Sequence, residues 1–389
     1  MSSEHLRIRD LSVPIMSDPA ATPTPDAAPV AASTTTNLLT PLKLGSLSLA
    51  NRIFMAPLTR CRATPTHVPT DLMTEYYVQR ASAGLVITEC TSIAPLTSAF
   101  GTEPGIFTPD QLDAWKKITD AVHAAGGKIF VQIWHAGRAA HPDCNDGAST
   151  IAPSPHAIDG DVHTPKGKVP HAVPLEIQTA DVPHIVKLFA DAAKAAVDKA
   201  GFDGVEVHAA NGYLIDQFLR DGSNKRTDGY GGSLENRTRF LHEVLTSVVA
   251  AVGADRVGVR FSPLNSYNSM VDSNPAALSE AVAKIAQAHQ LAYVHAMRGD
   301  FFQAQKGDVL PIFRTHFKNT LIANMGYTKD EANKAISSGQ VDAVSFGTAF
   351  LANPDLPARF AKGTELNAPD QATFYTGGAK GYTDYPALA

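Results

Sequence analysis

Residues 205–213 have the sequence Val-Glu-Val-His-Ala-Ala-Asn-Gly-Tyr, and residues 214–219 continue as Leu-Ile-Asp-Gln-Phe-Leu. The apolar, β-branched run predicts a buried parallel strand, the glycine indicates a turn, and the second segment predicts the start of a helix. His208, Asn211 and Tyr213 therefore fall in a βα loop, where α/β folds place their sites. Each could instead be structural: a buried histidine, an Asx turn and a packing tyrosine. The three together at one strand end favour a site for carbonyl chemistry.

The same theme, a short β-rich run followed by a helical stretch, recurs from residue 37 onward. Eight runs are predicted as strands: Arg52–Ala56, Leu85–Cys90, Lys128–Trp134, Gly204–His208, Val257–Phe261, Ala292–Ala296, Thr320–Ala323 and Val341–Phe346. The accompanying helices are predicted at Thr70–Ser82, Pro109–Ala125, Asp181–Ala200, Ser233–Val252, Pro275–Gln290, Lys329–Ser338 and Pro354–Phe360. Start and stop signals support several of them, such as a Thr-Pro pair before the second helix and a Gly-Gly pair after it.

Eight βα units with continuously apolar strands predict an α/β fold, a (β/α)8 TIM barrel. A doubly wound sheet is the alternative, but no Gly-x-Gly-x-x-Gly follows a predicted strand, as a dinucleotide-binding half would require. Residues 141–180 are rich in Pro and His and lack a helical period, so we expect a capping excursion after strand three, with a short hairpin. Because residues 17–36 carry few large apolar groups, we expect a disordered N-terminal extension over 1–36 and the barrel over 37–389.

The composition argues against several classes of function. A net charge of −5 and a pI near 6.3, without a dense cluster of Lys and Arg, argue against nucleic acid as a partner. No apolar stretch reaches the roughly 20 residues that a spanning helix needs, so a membrane partner is not expected. Three widely separated cysteines suggest neither disulfides nor a metal site, and a cytoplasmic location fits best. A targeting role for the N-terminal extension stays open.

Polar residues end five successive predicted strands. They are Thr59 and Arg60, Glu89 and Cys90, Gln132 and Trp134, His208, and Arg260. Each alone is compatible with a structural role, and a tryptophan at such a position is more often packing than ligand contact. Because the carboxyl ends of barrel strands meet at one face, their joint occurrence predicts a bound planar molecule with polar edges.

The chain resembles the Old Yellow Enzyme family of FMN-dependent ene-reductases, which are eight-stranded barrels. The resemblance covers residues 37–389 and rests on five segments in the family's order. They are Asn-Arg-Ile-Phe-Met-Ala-Pro-Leu-Thr-Arg at 51–60, Val-Gln-Ile-Trp-His-Ala-Gly-Arg at 131–138, Gly-Val-Glu-Val-His-Ala-Ala-Asn-Gly-Tyr at 204–213, Arg-Thr-Asp-Gly-Tyr-Gly-Gly-Ser-Leu-Glu-Asn-Arg at 226–237 and Gly-Tyr-Thr-Asp-Tyr-Pro at 381–386.

The resemblance implies which residues bind FMN and which bind substrate. The Thr59 hydroxyl is expected near flavin N5 and O4, Gln132 on the pyrimidine edge, and Arg260 at the N1–O2 end, where its charge stabilises anionic reduced flavin. The full expected cofactor set is Ala56, Pro57, Leu58, Thr59, Cys90, Gln132, Arg260, Asn324, Met325, Gly326, Gly347, Thr348 and Tyr375. The expected substrate set is Trp134, His208, Asn211, Tyr213 and Tyr375.

The resemblance also implies the reaction. His208 and Asn211 would donate hydrogen bonds to the carbonyl oxygen of an α,β-unsaturated compound, and Tyr213 would protonate Cα after hydride reaches Cβ. The reductant would be NADPH, or NADH, in a ping-pong cycle through one pocket. The expected partners are small activated alkenes such as enones, enals, maleimides and nitroalkenes, and the protein would be a monomer or a homodimer.

Two residues depart from the family's phosphate-binding pattern. Thr348 stands where an arginine is usual after strand eight, and Met325 where the first glycine of a Gly-Gly pair is usual after strand seven. A neutral hydroxyl grips phosphate less strongly than a guanidinium, so we expect weakened FMN binding. These departures leave open a flavin-poor barrel that serves as a binding or stress-responsive protein. A larger iron–sulfur flavoenzyme is disfavoured because the chain lacks clustered cysteines.

Overall fold

Eight parallel strands close into a barrel in the computed structural model, which describes residues 36–388. They are β1 (Ile53–Met55), β2 (Leu85–Ser92), β3 (Ile129–Trp134), β4 (Gly204–Ala209), β5 (Val257–Phe261), β6 (Tyr293–Met297), β7 (Thr320–Asn324) and β8 (Ala343–Phe346). Each strand pairs with the next, and β8 pairs with β1. The predicted (β/α)8 barrel is confirmed, and the doubly wound alternative is wrong. Residues 1–35, which hold nearly all of the predicted N-terminal extension, lie outside the described part.

Ten helices occur in the described part of the chain. They are α1 (Asp71–Gln79), α2 (Pro109–Ala124), α3 (Val182–Asp198), α4 (Leu214–Leu219), α5 (Leu234–Val252), α6 (Pro275–Ala288), α7 (Leu310–His316), α8 (Lys329–Ser337), α9 (Thr348–Ala352) and α10 (Leu356–Lys362). The predicted helices are present with bounds shifted by a few residues at most. Both α2 and α8 begin at the predicted residue, where the Thr108 and Thr328 hydroxyls form capping boxes. The short helices α7 and α9 were not predicted.

An N-terminal hairpin, Leu42–Leu44 paired with Leu47–Leu49, packs against the amino ends of the strands. Its Leu44 and Leu49 join a buried apolar layer with Phe54, Phe130 and Tyr293 from β1, β3 and β6. Gly204 on β4 makes room for the Phe130 ring and Gly258 on β5 for the Tyr293 ring, since a Cβ on either glycine would lie within 2.4 Å of a ring atom. The barrel is therefore filled with apolar side chains at this end, which leaves its carboxyl end for polar chemistry.

A register shift interrupts the pairing of β2 with β3 between Ile87 and Cys90. Such a bulge turns the following side chains relative to the ladder. It brings Cys90 opposite Gln132 at the mouth and leaves the Glu89 side chain, on the neighbouring residue, fully buried. The sequence prediction of β2 contained no bulge.

The excursion after β3 carries the predicted hairpin, with Asp161–Thr164 antiparallel to Gly167–Pro170. The C-terminal segment packs against the residues that follow β1. Arg60 donates to the carbonyl oxygens of Phe374 and Gly381 at 3.0 and 2.7 Å, and the Tyr382 ring stacks on Tyr76 at a centroid distance of 4.0 Å. Buried guanidinium groups thus hold this segment against β1. Within residues 36–388, no helix is both long and apolar enough to cross a membrane.

Candidate active site

The residues predicted for the site gather at the carboxyl ends of the strands. Residues 56–59 follow β1, Cys90 lies in β2, Gln132 and Trp134 lie in β3, and His208 lies in β4 with Asn211 and Tyr213 just after it. Arg260 lies in β5, Asn324 ends β7 with Met325 and Gly326 behind it, Gly347 and Thr348 follow β8, and Tyr375 lies in the C-terminal segment. Strand closure therefore places residues more than 300 positions apart in sequence at one face of the barrel.

His208 is poised as a neutral hydrogen-bond donor. Its Nδ1 accepts the backbone N–H of Ala210 at 3.3 Å, which places the ring proton on Nε2. Burial, followed by the positive charge of Arg260, lowers the pKa of His208 to about 3. The ring is therefore uncharged at neutral pH, with Nε2–H free to donate.

Asn211 is oriented by a second asparagine. Its side-chain oxygen accepts from Nδ2 of the fully buried Asn265 at 2.9 Å, so the Asn211 amide group is left as a donor. The backbone of Asn211 has a φ of +57°, a conformation that asparagine tolerates better than most residues. Its N–H donates to the Ser262 hydroxyl at 2.7 Å, which fixes the turn. His208 and Asn211 thus present two N–H donors at one strand end.

Tyr213 packs against the rings of His208 and Trp134. Its ring meets His208 edge-on at 5.0 Å and Trp134 edge-on at 5.1 Å, measured between ring centroids. Burial raises the pKa of Tyr213 well above its ordinary value, so the phenol keeps its proton. The hydroxyl makes no hydrogen bond to any other described residue. It therefore remains available to a bound molecule.

A hydrogen-bonded network crosses the barrel interior just below the mouth. Gln132 Nε2 donates to Glu206 Oε1 at 2.8 Å, and Glu206 Oε2 lies 2.8 Å from His295 Nδ1. Arg260 Nη1 lies 2.6 Å from His295 Nε2, and its Nη2 donates to the Asn324 side-chain oxygen at 2.8 Å. Every member is buried. The network leaves the Gln132 carbonyl oxygen without a partner in the described chain.

The Thr59 hydroxyl and the Cys90 thiol are in contact, with 3.0 Å between Oγ1 and Sγ. Burial raises the pKa of the Cys90 thiol well above its ordinary value, and the Thr59 hydrogen bond only partly opposes this. The thiol is therefore protonated, and a protonated thiol is a poor nucleophile.

The loops after β7 and β8 carry the two departures from the expected phosphate pattern. Met325 has a φ of +89°, in the region that favours glycine. Arg298 holds this loop from the end of β6 by donating to the carbonyl oxygens of Met325 and Gly326, both at 2.8 Å. The backbone N–H groups of Gly326 and Gly347 donate to none of the described residues. The loops thus offer backbone donors for an anion.

Tyr375 reaches the mouth from the C-terminal segment and is 59% exposed. Its ring is stacked on Phe100 with a centroid distance of 6.2 Å, and Phe100 lies equally far from Trp134. The three rings form an aromatic wall on the β2 and β3 side. Such a wall suits a flat, apolar ligand.

Several residues of this region were missed in the sequence. Phe100, Asn265 and His295 lie in loops or strands without a recognisable motif. Glu206 did carry a signal, because it is a lone acidic residue inside an otherwise apolar strand, and a buried carboxylate demands a partner. The partner itself could not be named from the sequence.

The comparisons with known proteins agree with this geometry. The model of the NADH:flavin oxidoreductase / NADH oxidase family matches residues 37–367. The chain belongs to this family, and it is of Old Yellow Enzyme type. It is 48% identical over 357 residues to a probable flavin mononucleotide-dependent alkene reductase of Leishmania infantum, covering 90% of this chain and 97% of that protein. It is 44% identical to 12-oxophytodienoate reductase 1 of Oryza sativa subsp. japonica, covering 93% and 96%.

Solved structures of family members are similar throughout. The old yellow enzyme from Trypanosoma cruzi superposes with a TM-score of 0.89 at 44% identity, covering 92% of this chain and all of that one. Morphinone reductase in complex with tetrahydroNAD has a TM-score of 0.86 at 44% identity, covering 91% and 98%. The chain is therefore an FMN-dependent oxidoreductase of the alkene reductase kind.

The residues present fit FMN. The free Gln132 carbonyl oxygen can accept an imide N–H, the Arg260 guanidinium supplies a positive charge, and the Gly326 and Gly347 amides can meet a phosphate. The side chain at 348 supplies only a neutral hydroxyl, as expected from the sequence.

Proposed function

We propose that this chain reduces the activated C=C bond of α,β-unsaturated carbonyl or nitro compounds with NADPH, or NADH, as the reductant. Thirteen residues would hold the cofactor: Ala56, Pro57, Leu58, Thr59, Cys90, Gln132, Arg260, Asn324, Met325, Gly326, Gly347, Thr348 and Tyr375. The observation that carries the proposal is the pair of N–H donors of His208 and Asn211, oriented by independent hydrogen bonds at 3.3 and 2.9 Å.

Bound FMN would supply the hydride that passes from the nicotinamide to the alkene. The chain's own contribution is to bind and polarise the acceptor. His208 Nε2–H and the Asn211 amide would donate to the carbonyl or nitro oxygen, where negative charge grows as hydride reaches Cβ. Because the His208 ring is neutral and its tautomer is set by Ala210, the donor needs no reorganisation. One such donor lowers a barrier by about 3 kcal/mol.

Tyr213 would give its proton to Cα. The phenol is held in a buried aromatic contact with Trp134 and His208 and keeps its proton at neutral pH. A weak acid is suited to an enolate carbon, which is basic enough to accept from it when held in reach. Water then replaces the proton through the open side of the mouth near Tyr375.

The substrate is expected to be flat and largely apolar. The aromatic wall of Phe100, Trp134 and Tyr375 offers ring surfaces and no charge to a bound molecule. Relatives include 12-oxophytodienoate reductases of rice, so a cyclic enone is a reasonable probe. Cyclohexenone carries the required carbonyl and ring in a small molecule.

The test is an anaerobic titration of the purified, FMN-reconstituted protein with NADPH and then with cyclohexenone, followed through the flavin absorbance. Bleaching by NADPH and recovery with one equivalent of cyclohexenone are expected. Protein that takes up FMN and is bleached but does not recover with any activated alkene would contradict the proposal. Protein that takes up no FMN would favour the flavin-poor binding protein instead.

A further inference from the structure

A buried carboxylate lies beneath the mouth. It is linked by hydrogen bonds to two residues proposed to contact the flavin, directly to Gln132 and through His295 to Arg260. Glu206 in β4 is 0% exposed and bonds Gln132 through one oxygen and His295 through the other, both at 2.8 Å. Removing a carboxylate from water is costly unless it is paired. Glu206 is hydrogen-bonded to the Gln132 amide and the His295 imidazole. The guanidinium of the network, that of Arg260, contacts His295 and not Glu206.

The hydrogen-bond pattern decides the protonation state of His295. Arg260 can only donate, and its Nη1 lies 2.6 Å from His295 Nε2 and 3.0 Å from Nδ1. The Glu206 carboxylate, 2.8 Å from Nδ1, can only accept, so Nδ1 carries the ring proton and Nε2 is the acceptor for Arg260. The Ser345 hydroxyl, also 2.6 Å from Nε2, is then a second donor to it. The ring proton sits on Nδ1 and points to Glu206. Burial, and then the charge of Arg260, lowers the pKa of His295 to about 4, which agrees with a neutral ring.

Glu206 balances the charge of Arg260, with the His295 ring between them. Burial alone would raise its pKa, but the interaction with His295, the positive charge of Arg260 and the hydrogen bond from Gln132 bring the pKa below its ordinary value. The carboxylate is therefore ionised, the imidazole neutral and the guanidinium positive. The interior network carries no net charge, although its positive end faces the mouth.

We propose that Glu206 is a positioning residue that sets the reduction potential of the bound flavin, by offsetting the charge of Arg260 through His295 and by turning the Gln132 carbonyl oxygen toward the mouth. This rests on the proposed function, because it takes the flavin to lie over Gln132 and Arg260. Neutralising Glu206 leaves Arg260 uncompensated, and an uncompensated positive charge favours the reduced, anionic flavin. The potential should therefore rise.

The test compares Glu206→Gln, which removes the charge, with Glu206→Asp, which keeps it. The bound-flavin midpoint potential is measured by equilibration with a reference dye. In Glu206→Gln, the preference for reduced over oxidised FMN should be about tenfold greater than in the unmodified protein. For a two-electron couple this raises the midpoint potential by about 30 mV. Glu206→Asp should stay within a third of that shift. Equal shifts in both variants would mean that packing, not charge, is responsible and would overturn the proposal.

A matched control removes a buried carboxylate elsewhere. Asp272 pairs with Arg237 at 2.7 Å and has a fully buried side chain, outside the network. Asp272→Asn should lower stability without moving the potential. If it moves the potential as much as Glu206→Gln, the assignment is wrong. Failure of every protein to take up FMN would refute the proposed function, whereas uptake with an unchanged potential in Glu206→Gln would refute only this inference.

A second measurement needs no folded variant at position 206. In ¹⁵N-histidine-labelled protein, the His295 signal, assigned with His295→Gln, should report a neutral ring with its proton on Nδ1 between pH 5.5 and 8. A doubly protonated ring in that range would contradict the charge pattern. A proton on Nε2 would also contradict it, since Nδ1 would then have no proton to donate to the Glu206 carboxylate, which lies 2.8 Å away.

Discussion

Glu89 should make the protein less stable as the pH rises from 4.5 to about 8, and Glu89→Gln should remove this dependence. The carboxyl lies in β2, is fully buried, and accepts from the Tyr77 hydroxyl at 3.0 Å and from the Arg60 N–H at 3.1 Å. Burial raises its pKa to about 7, against hydrogen bonds and the charges of Arg60 and Arg62 that oppose the rise. Between pH 4.5 and 7 the folded protein therefore keeps a proton on Glu89 that the unfolded chain has already released.

The sign and size follow from that difference in pKa. Below pH 4.5 Glu89 is protonated in both the folded and the unfolded protein, so the carboxyl does not lower the free energy of unfolding. Between pH 4.5 and 7 the folded state binds more protons, so stability falls as the pH rises, and above pH 7 the full cost is present. A folded pKa of about 7 against an ordinary value of 4.5 corresponds to about 3 kcal/mol.

Glu89→Gln keeps the shape and carries no charge. It should cost about 1 kcal/mol at pH 5, because the amide nitrogen cannot accept from the Arg60 N–H. At pH 8 it should be more stable than the unmodified protein by about 2 kcal/mol. Urea denaturation of FMN-saturated protein at both pH values measures the change. Glu75→Gln, at an exposed position of α1, is the control and should leave the pH dependence intact. Equal losses between pH 5 and 8 in Glu89→Gln and unmodified protein would refute the reasoning.

Four further outcomes are expected. Thr348→Arg should tighten FMN binding about tenfold by adding a charge-assisted bond to the phosphate, measured by fluorescence titration. Met325→Gly should also tighten FMN, with little change in the free energy of unfolding, because relief of a positive φ of +89° is offset by the entropy of glycine. Tyr213→Phe should slow reoxidation by cyclohexenone at least tenfold in stopped-flow experiments and leave reduction by NADPH nearly unchanged. Asn265→Ala should lower kcat/KM for cyclohexenone about tenfold, about 1.4 kcal/mol, because the Asn211 amide can then turn its oxygen toward the substrate.

Each of these has an internal control. Riboflavin lacks the phosphate, so neither Thr348→Arg nor Met325→Gly should tighten its binding, and an equal gain for riboflavin would point to a general change of the pocket. Slower reduction with normal reoxidation would reject Tyr213 as the proton donor. Asn268 bonds only the backbone oxygen of Asn211, at 2.9 Å, so Asn268→Ala should have a smaller effect than Asn265→Ala.

Local sequence was sufficient for the barrel and for the polar residues at the ends of its strands, but not for Phe100, Asn265 and His295. All eight strands were predicted within a few residues, because strands buried on both faces have continuous apolar runs and are bounded by polar or glycine-containing turns. His208, Asn211 and Tyr213 were recognised because strand, turn and helix signals follow one another within 15 residues. The short helix α7 escaped prediction because its seven residues are too few to show a period.

The protonation states and donor directions were decided only by tertiary structure. Glu206 and His295 are 89 residues apart, Arg260 and Asn324 are 64 apart, and Asn211 and Asn265 are 54 apart. No local pattern links them, since they meet only when the strands close into a barrel. The sequence thus determines which strand-end side chains face the mouth, through strand period and turn chemistry. Closure determines which nitrogen carries a proton and which amide donates, because burial leaves each polar atom only the partner that the neighbouring strand provides.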